Sequence, residues 1–567
     1  MLRYSFNVSL LSNCVGKSQE GSEAQPKPQE ASQNFLLSSR DTMQRQDTTL
    51  VVLCTVAGGK GDLTFCHNIL QIFRQTYPQL ASLHVVIQDQ GGSPEACVDI
   101  LQTLLLDTQV KIHTIASSSK QLDICLSTSR VMCVHGPVSA SMAETVTFSN
   151  AGNGVVPTAA VFVREMGMGQ FHYDYASGPH MPILYSGFAP GEAGLFVLPE
   201  IQPVVDWARN SMQPTDGAGA ALSGIGVNTA HTEPSRALRT VCHLRSPKHC
   251  TGALRVAASI AEMSCSFQGS VSDTHLFVPL SSANTSKLKK VAYSLGMVLA
   301  EQQGEAMQAA RTGSSASDEV AVKRSFSLET ARDTADAPGR ILPNFLSSPF
   351  RIDVCDTSAA AWPRPRFLQL LATSDAAVVT GDASLNEAIC TGMPFWYAVP
   401  PHKVGVRQSL YCRVASYCDG KRSSSALEPS TCPATSHLSL AAVLVLSWWG
   451  WVEYGVEGKL GGMHLNLDIG SQEHGAVSKQ APLTEAQQLA LDGSKPHRDW
   501  SSVMKCAEDF RAEFELLQPP PQAGLPLQVA FSVVCAKLRA DCCRLDDAIL
   551  DSLLQQLGPS ASTEGGV

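Results

Sequence analysis

Residues 374–410 read SDAAVVTGDASLNEAICTGMPFWYAVPPHKVGVRQSL. The run AAVV at 376–379 is apolar and four residues long, which suits a short parallel strand buried on both faces. A turn follows at Thr380, Gly381 and Asp382, and a helix is predicted from about Ser384. Gly392 stops that helix, and Pro394 keeps it from resuming before a second strand predicted at 395–399. Glycine at such a turn lets main-chain N–H groups come close to an anion, and the helix dipole favours negative charge there. Glu387, one turn into the helix, could accept hydrogen bonds from two ribose hydroxyls. A plainer reading stands beside this one: Ser384-x-x-Glu387 has the spacing of a capping box.

Outward from this stretch, strand and helix signals alternate. The run LVVLC at 50–54 is a predicted buried strand. The glycine-rich turn AGGKGD at 57–62 follows it, and Leu63, Cys66, Ile69, Leu70 and Phe73 then share one helical face. Further strands are predicted at 83–87, 131–134, 159–163, 275–280 and 350–354, with helices at 287–303 and 366–373. The order implies an α/β chain with doubly wound parallel sheets. The expected layout is a leader at 1–48, a first Rossmann-like domain at 49–210 and a Gly/Ala/Ser/Thr-rich linker at 211–235. A second Rossmann-like domain at 236–415 is interrupted by a polar insertion at 304–339. An irregular segment at 416–483 and a helical tail at 484–567 complete it.

Composition excludes several classes. The 567 residues are 44% hydrophobic and 16% charged, so wholesale disorder is excluded. Net charge is 42 − 51 = −9 with no basic run, which argues against a nucleic-acid partner. The 18 cysteines are scattered without a C-x-x-C pair, so they read as free thiols of a reducing, cytoplasmic compartment. The stretch LSLAAVLVLSWWGWV at 438–452 is shorter than the ~20 residues that span a bilayer. It reads as a buried core segment or as an interfacial one with its tryptophans at headgroup depth, giving a peripheral membrane contact.

The 374–410 stretch resembles the donor-binding segment of GT-B glycosyltransferases, and within them the MurG-like, family 28-type branch. The resemblance rests on Gly381, Ser384, Glu387, Gly392 and Pro394 at the family's spacing, with His402 and Lys403 matching a His-Lys pair farther on. Arg407 and Gln408 resemble the Arg-Gln that follows, displaced by two positions. The turn Gly58-Gly59-Lys60-Gly61 is similar to the family's first glycine-rich loop. It is neither a Walker A motif nor a G-x-G-x-x-G fingerprint.

The resemblance implies two Rossmann-like domains in a GT-B arrangement. It also implies inverting, metal-independent transfer of a sugar from a nucleotide-sugar, UDP-GlcNAc-like by branch, to an unassigned acceptor. Gly381, Asp382, Ser384, Glu387, His402, Lys403, Arg407 and Gln408 would then hold the donor, and Gly58, Gly59 and Gly61 would line the acceptor or phosphate loop. No metal or cofactor is expected. The family carries a His after that loop, where this chain has Asp62. Asp62 is the candidate general base, or else only the cap of its helix. Two other readings stay open: a UDP-sugar 2-epimerase on the same fold, and a catalytically inactive GT-B-like binding or regulatory subunit.

Two smaller stretches are ambiguous. SGFAPGEAG at 186–194 is either a turn between strands or a loop whose Glu192 reaches a substrate hydroxyl. MGMGQFHYDYASGPH at 166–180 mixes aromatic and acidic residues in a manner suited to sugar binding.

Overall fold

The computed structural model describes residues 48–56, 61–77, 80, 82–89, 94–105, 110–115, 121–136, 145–164, 166, 181–189, 191–196, 198, 200–211, 237–242, 247–269, 274–295, 297–299, 323–330, 350–357, 364–399, 403–418, 434–457, 500–515 and 525–557. The predicted leader apart from Thr48, the 211–235 linker beyond Ser211 and nearly all of 166–180 lie outside them. The chain divides into two compact units. The first takes Ser5–Leu198, His402–Ser409 and Ala540–Val567, and the second Pro199–Pro401 and Leu410–Arg539.

The first unit carries β1 (Thr48–Val56), α1 (Gly61–Thr76), β2 (Ser82–Asp89), α2 (Pro94–Leu105), β3 (Val110–Ile115), β4 (Leu122–Cys125), β5 (Arg130–His135), β6 (Val146–Asn150), β7 (Asn153–Val155), β8 (Ala159–Arg164) and β9 (Ile183–Tyr185). Six strands form one sheet in the order β3-β2-β1-β5-β8-β9, with every pair parallel. All nine residues of β1 are buried, as its unbroken apolar run requires of a central strand. Its side chains alternate between faces. Cys54 turns toward α1, where its thiol donates to the Asp62 carbonyl at 3.5 Å. Val51 and Leu53 face a core shared with the small sheet β4-β6-β7, through Ile124, Val146 and Phe148.

The second unit carries α3 (Ile201–Ser211), β10 (Leu238–Cys242), α4 (Cys250–Gln268), β11 (Thr274–Val278), α5 (Ser282–Ser294), β12 (Met297–Leu299), β13 (Lys323–Thr330), β14 (Arg351–Asp356), α6 (Arg364–Thr373), β15 (Ala376–Val379), α7 (Asp382–Thr391) and β16 (Phe395–Tyr397). Its sheet runs β12-β13-β14-β11-β10-β15-β16, parallel from β14 to β16 and antiparallel at β12 and β13. Two expectations are corrected here. The helix predicted at 287–303 stops at Ser294, and the next residues turn into β12. The polar insertion predicted at 304–339 contains β13, a strand whose Phe326 and Leu328 are buried in the core.

The later helices are α8 (Val404–Ala415), α9 (Ala434–Glu457), α10 (Trp500–Glu515), α11 (Pro526–Cys542) and α12 (Leu545–Leu557). The stretch at 438–452 lies within α9 and is interior. Trp448, Trp449 and Trp451 are buried, and each indole buries on the order of 200 Å². Trp448 Nε1 donates to Ser259 Oγ at 2.9 Å and Trp449 Nε1 to the Phe395 carbonyl at 2.6 Å. The Arg255 guanidinium lies 3.8 Å from the centroid of the Trp451 ring and donates to the Trp451 carbonyl. Rings committed in this way are not presented at a surface, which overturns the interfacial alternative. Among the described residues no helix is long and apolar enough to cross a membrane.

The domain reading also changes at the C-terminal end. The expected boundaries were consecutive in sequence, whereas α12 belongs to the first unit and packs on β8. Apolar periodicity predicts that a helix exists, but it does not say which sheet that helix covers.

Candidate functional site

In the second unit the chain goes from β10 to β11 on one side, while β15 pairs with β10 on the other. That reversal is a topological switch point, where open α/β sheets form a crevice beyond the carboxyl ends of the strands. Two helices begin there, α4 after β10 and α7 after β15.

The α7 end is built as follows. Gly381 is the N-cap, in extended conformation, and its carbonyl accepts from Leu385 N–H at 2.9 Å. Ser384 Oγ accepts from Gly381 N–H at 3.2 Å, and lies 3.0 Å from the Gly381 carbonyl, to which it can donate. This corrects the capping-box reading in which Ser384 capped the helix: the cap is three residues earlier, and Ser384 is the partner reaching back. Glu387 therefore sits deeper in α7 and is only 3% exposed. Asp382 is in the first turn, with Tyr397 Oη 3.4 Å from its Oδ1. The Thr380 hydroxyl is buried and has no hydrogen-bond partner among the described residues. Gly392, at φ +71°, closes the far end as predicted, donating to the Ala388 and Ile389 carbonyls.

The α4 end was missed in the sequence. A 3-10 turn at Pro247–His249 leads into it, and His249 stands at the N-cap without a side-chain cap bond. Burial, with Lys248 adding to it, pushes the His249 imidazole below its usual range. Its ring meets Trp396 edge-on, and Trp396 in turn fills the space a side chain at Gly252 would need.

In the first unit, Gly58 and Gly59 lie outside the described residues. Gly61 opens α1 and is exposed, with nothing within 4 Å of an added Cβ. Asp62 is half-buried in the first turn of that helix. The Cys54 pKa is raised by a hydrogen bond with Cys66, then by burial and by the nearby charges. His135 was not singled out by sequence reasoning. It ends β5 opposite Leu53, and its buried Nδ1 has no partner among the described residues. Burial lowers its pKa to about 4. A lone histidine at a strand end carries no sequence signal.

His402 lies outside the described residues, and Lys403, Arg407 and Gln408 fall in the first unit. Lys403 is buried and the other two are half-buried on α8. The structure thus brings Gly381, Asp382 and Ser384 together at one helix end, with Glu387 farther along the same helix. Glu192 is a turn residue: its Oε2 accepts from Ala189 N–H at 2.7 Å, and its carboxylate packs over Gly187. Among the described residues no group of three His, Cys, Asp or Glu side chains could hold a metal ion.

No family model matches the chain, and no curated protein is similar to it. Among solved structures it is similar to a glycosyl transferase family 9 protein from Veillonella parvula, at 9% identity and a TM-score of 0.26, over 62% of this chain and 81% of that one.

Proposed function

We propose that the chain is a glycosyltransferase of GT-B type, MurG-like in its donor segment. The α7 helix end carries this reading: a glycine N-cap at the switch point of the parallel part of the sheet, inside the sequence segment that resembles the family. In this reading the nucleotide diphosphate of the donor lies beyond β15 and β10. The amides of α7, with the Thr380 hydroxyl, offset the charge developing on the leaving diphosphate. Glu387 fixes the ribose. Asp62 takes the acceptor proton as the anomeric carbon is attacked, with inversion. By the family resemblance Lys403, Arg407, Gln408 and His402 would also bind the donor, and Gly58, Gly59 and Gly61 would form the acceptor loop. The chemistry needs no metal, and a UDP-GlcNAc-like donor is favoured by the branch it resembles.

A second reading, a non-catalytic nucleotide-binding subunit, is favoured by two observations. Glu387 is almost wholly buried, and Asp382 puts a carboxylate in the first turn, where it repels a second anion. Incubation with UDP-, GDP- and dTDP-sugars, reading released nucleoside diphosphate, separates the two. Turnover that falls at least about tenfold in Asp62→Asn and in Glu387→Gln is the expected result, equivalent to about 1.4 kcal/mol or more of transition-state stabilisation. Nucleotide binding without turnover supports the second reading, and no binding of any nucleotide overturns both. Conversion of UDP-GlcNAc to its epimer would instead make the chain a 2-epimerase.

A further inference from the structure

His84 on β2 and His113 on β3 lie on the sheet face that also carries Val51 and Val86, and β3 is the edge of that sheet. His84 Nδ1 is 3.0 Å from His113 Nε2, and the rings are parallel to 8° with centroids 5.2 Å apart. That separation is close to the N···N distance plus two ring radii. The rings therefore lie edge to edge in nearly one plane, not face on face. Their facing lone-pair directions fall along one line, the geometry of an N–H···N bond and not of a chelate. His84 is 1% exposed, and its Nε2 has no partner among the described residues.

The surroundings of the pair are apolar or positive. Lys111 on β3 stands in register with His84. From β1, Thr49 and Val51 share the face. The covering strands β4, β6 and β7 present Leu122, Ile124, Val146, Phe148 and Val155, while Asp123 and Cys125 of β4 are exposed. Among the described residues these strands bring no carboxylate to the pair.

We propose that the His84–His113 pair is an acid-sensitive latch, which holds the edge strand β3 on the sheet and releases it when the pair takes up protons. The inference is independent of the glycosyltransferase reading. In the neutral pair a single N–H lies between the facing nitrogens. One proton from solvent leaves that bond in place but puts a charge on a pair whose His84 is buried and whose His113 is half-buried, near the exposed Lys111. A second places two N–H donors against each other, and the bond is lost. The values agree with this geometry. Burial, then His113 and Lys111, lower the His84 pKa to about 4, and burial, then Lys111, lower that of His113. The latched state therefore binds fewer protons than the released one. Its stability is complete above the ordinary histidine value of 6.5 and is lost as pH falls toward about 4.

Amide hydrogen exchange of the full chain between about pH 7 and about pH 4.5, corrected for intrinsic rates, tests this. Protection of 110–115 is expected to fall by up to about tenfold per pH unit for each proton taken up, while 50–54 of β1 keep theirs. His113→Gln keeps a neutral donor for His84 and should flatten that dependence. Protection of β3 that is constant with pH, equal loss in β1 and β3, or an unchanged dependence in His113→Gln would overturn the latch. If that variant does not fold, imidazole C2–H exchange of the unaltered chain decides. Both histidines should titrate clearly below 6.5, and ordinary values refute the proposal.

Discussion

The side-chain amide of Gln556 bonds both main-chain groups of Ala160, accepting from its N–H at 3.0 Å and donating to its carbonyl at 2.8 Å. The neighbouring strand β9 reaches β8 only from Phe162 onward, so Gln556 substitutes for a strand at an otherwise open edge. Gln556→Leu leaves both groups unsatisfied and should cost about 1–3 kcal/mol. Far-UV circular dichroism in a urea titration measures this. All seven tryptophans fall within the residue ranges of the second unit, so the fluorescence midpoint should move less than the dichroism midpoint.

Asp375 joins three segments of the second unit. Its Oδ2 accepts from Arg239 N–H at 2.8 Å, and its Oδ1 accepts from Gln528 Nε2 at 3.0 Å. Asp375→Ala removes both acceptors at the start of β15 and should destabilise this unit by about 2–4 kcal/mol. Here tryptophan fluorescence is the right probe, and Asp375→Asn should lose less.

Gly252 lies against the Trp396 indole, and an added Cβ there would collide with its ring carbons. Gly252→Ala should therefore cost about 1–3 kcal/mol, although alanine is the better helix former. Pairing it with Trp396→Leu should recover part of the loss, and a double-mutant cycle would measure that coupling.

Acid should weaken the fold by way of His135. Its pKa is lowered to about 4 by burial, so the unfolded chain binds a proton that the native chain refuses between the ordinary value of 6.5 and about 4. Stability from this group is complete above that window and falls as pH drops through it. The thermal midpoint should decline over the same range, and less steeply in His135→Gln. His249, also lowered by burial, acts in the same direction.

Legibility in the sequence followed the strength of the local signal. The β15 run AAVV was predicted to the residue, because four apolar side chains stand between polar and glycine punctuation. Gly392 at the end of α7 was equally plain. By contrast β13, KRSFSLET, alternates with only two apolar members inside a polar region, which is too little for a period of two to show. The tryptophan stretch was ambiguous because it is apolar all round. What decided it was distant, Ser259 on α4 and the Phe395 carbonyl on β16. At the candidate site the glycine turn was legible, but the cap was misplaced by three residues, since Ser384 bonds the Gly381 main chain with no side chain on Gly381 to signal it.

The joining of α12 to β8 has a consequence for the nascent chain. Ala160 is made 396 residues before Gln556. At about 5–20 residues per second, that interval is about 20–80 s. For most of it every strand of the first sheet has been made, but the helix that closes its edge has not. During synthesis this edge is the natural place for a chaperone to hold and for two growing chains to join wrongly.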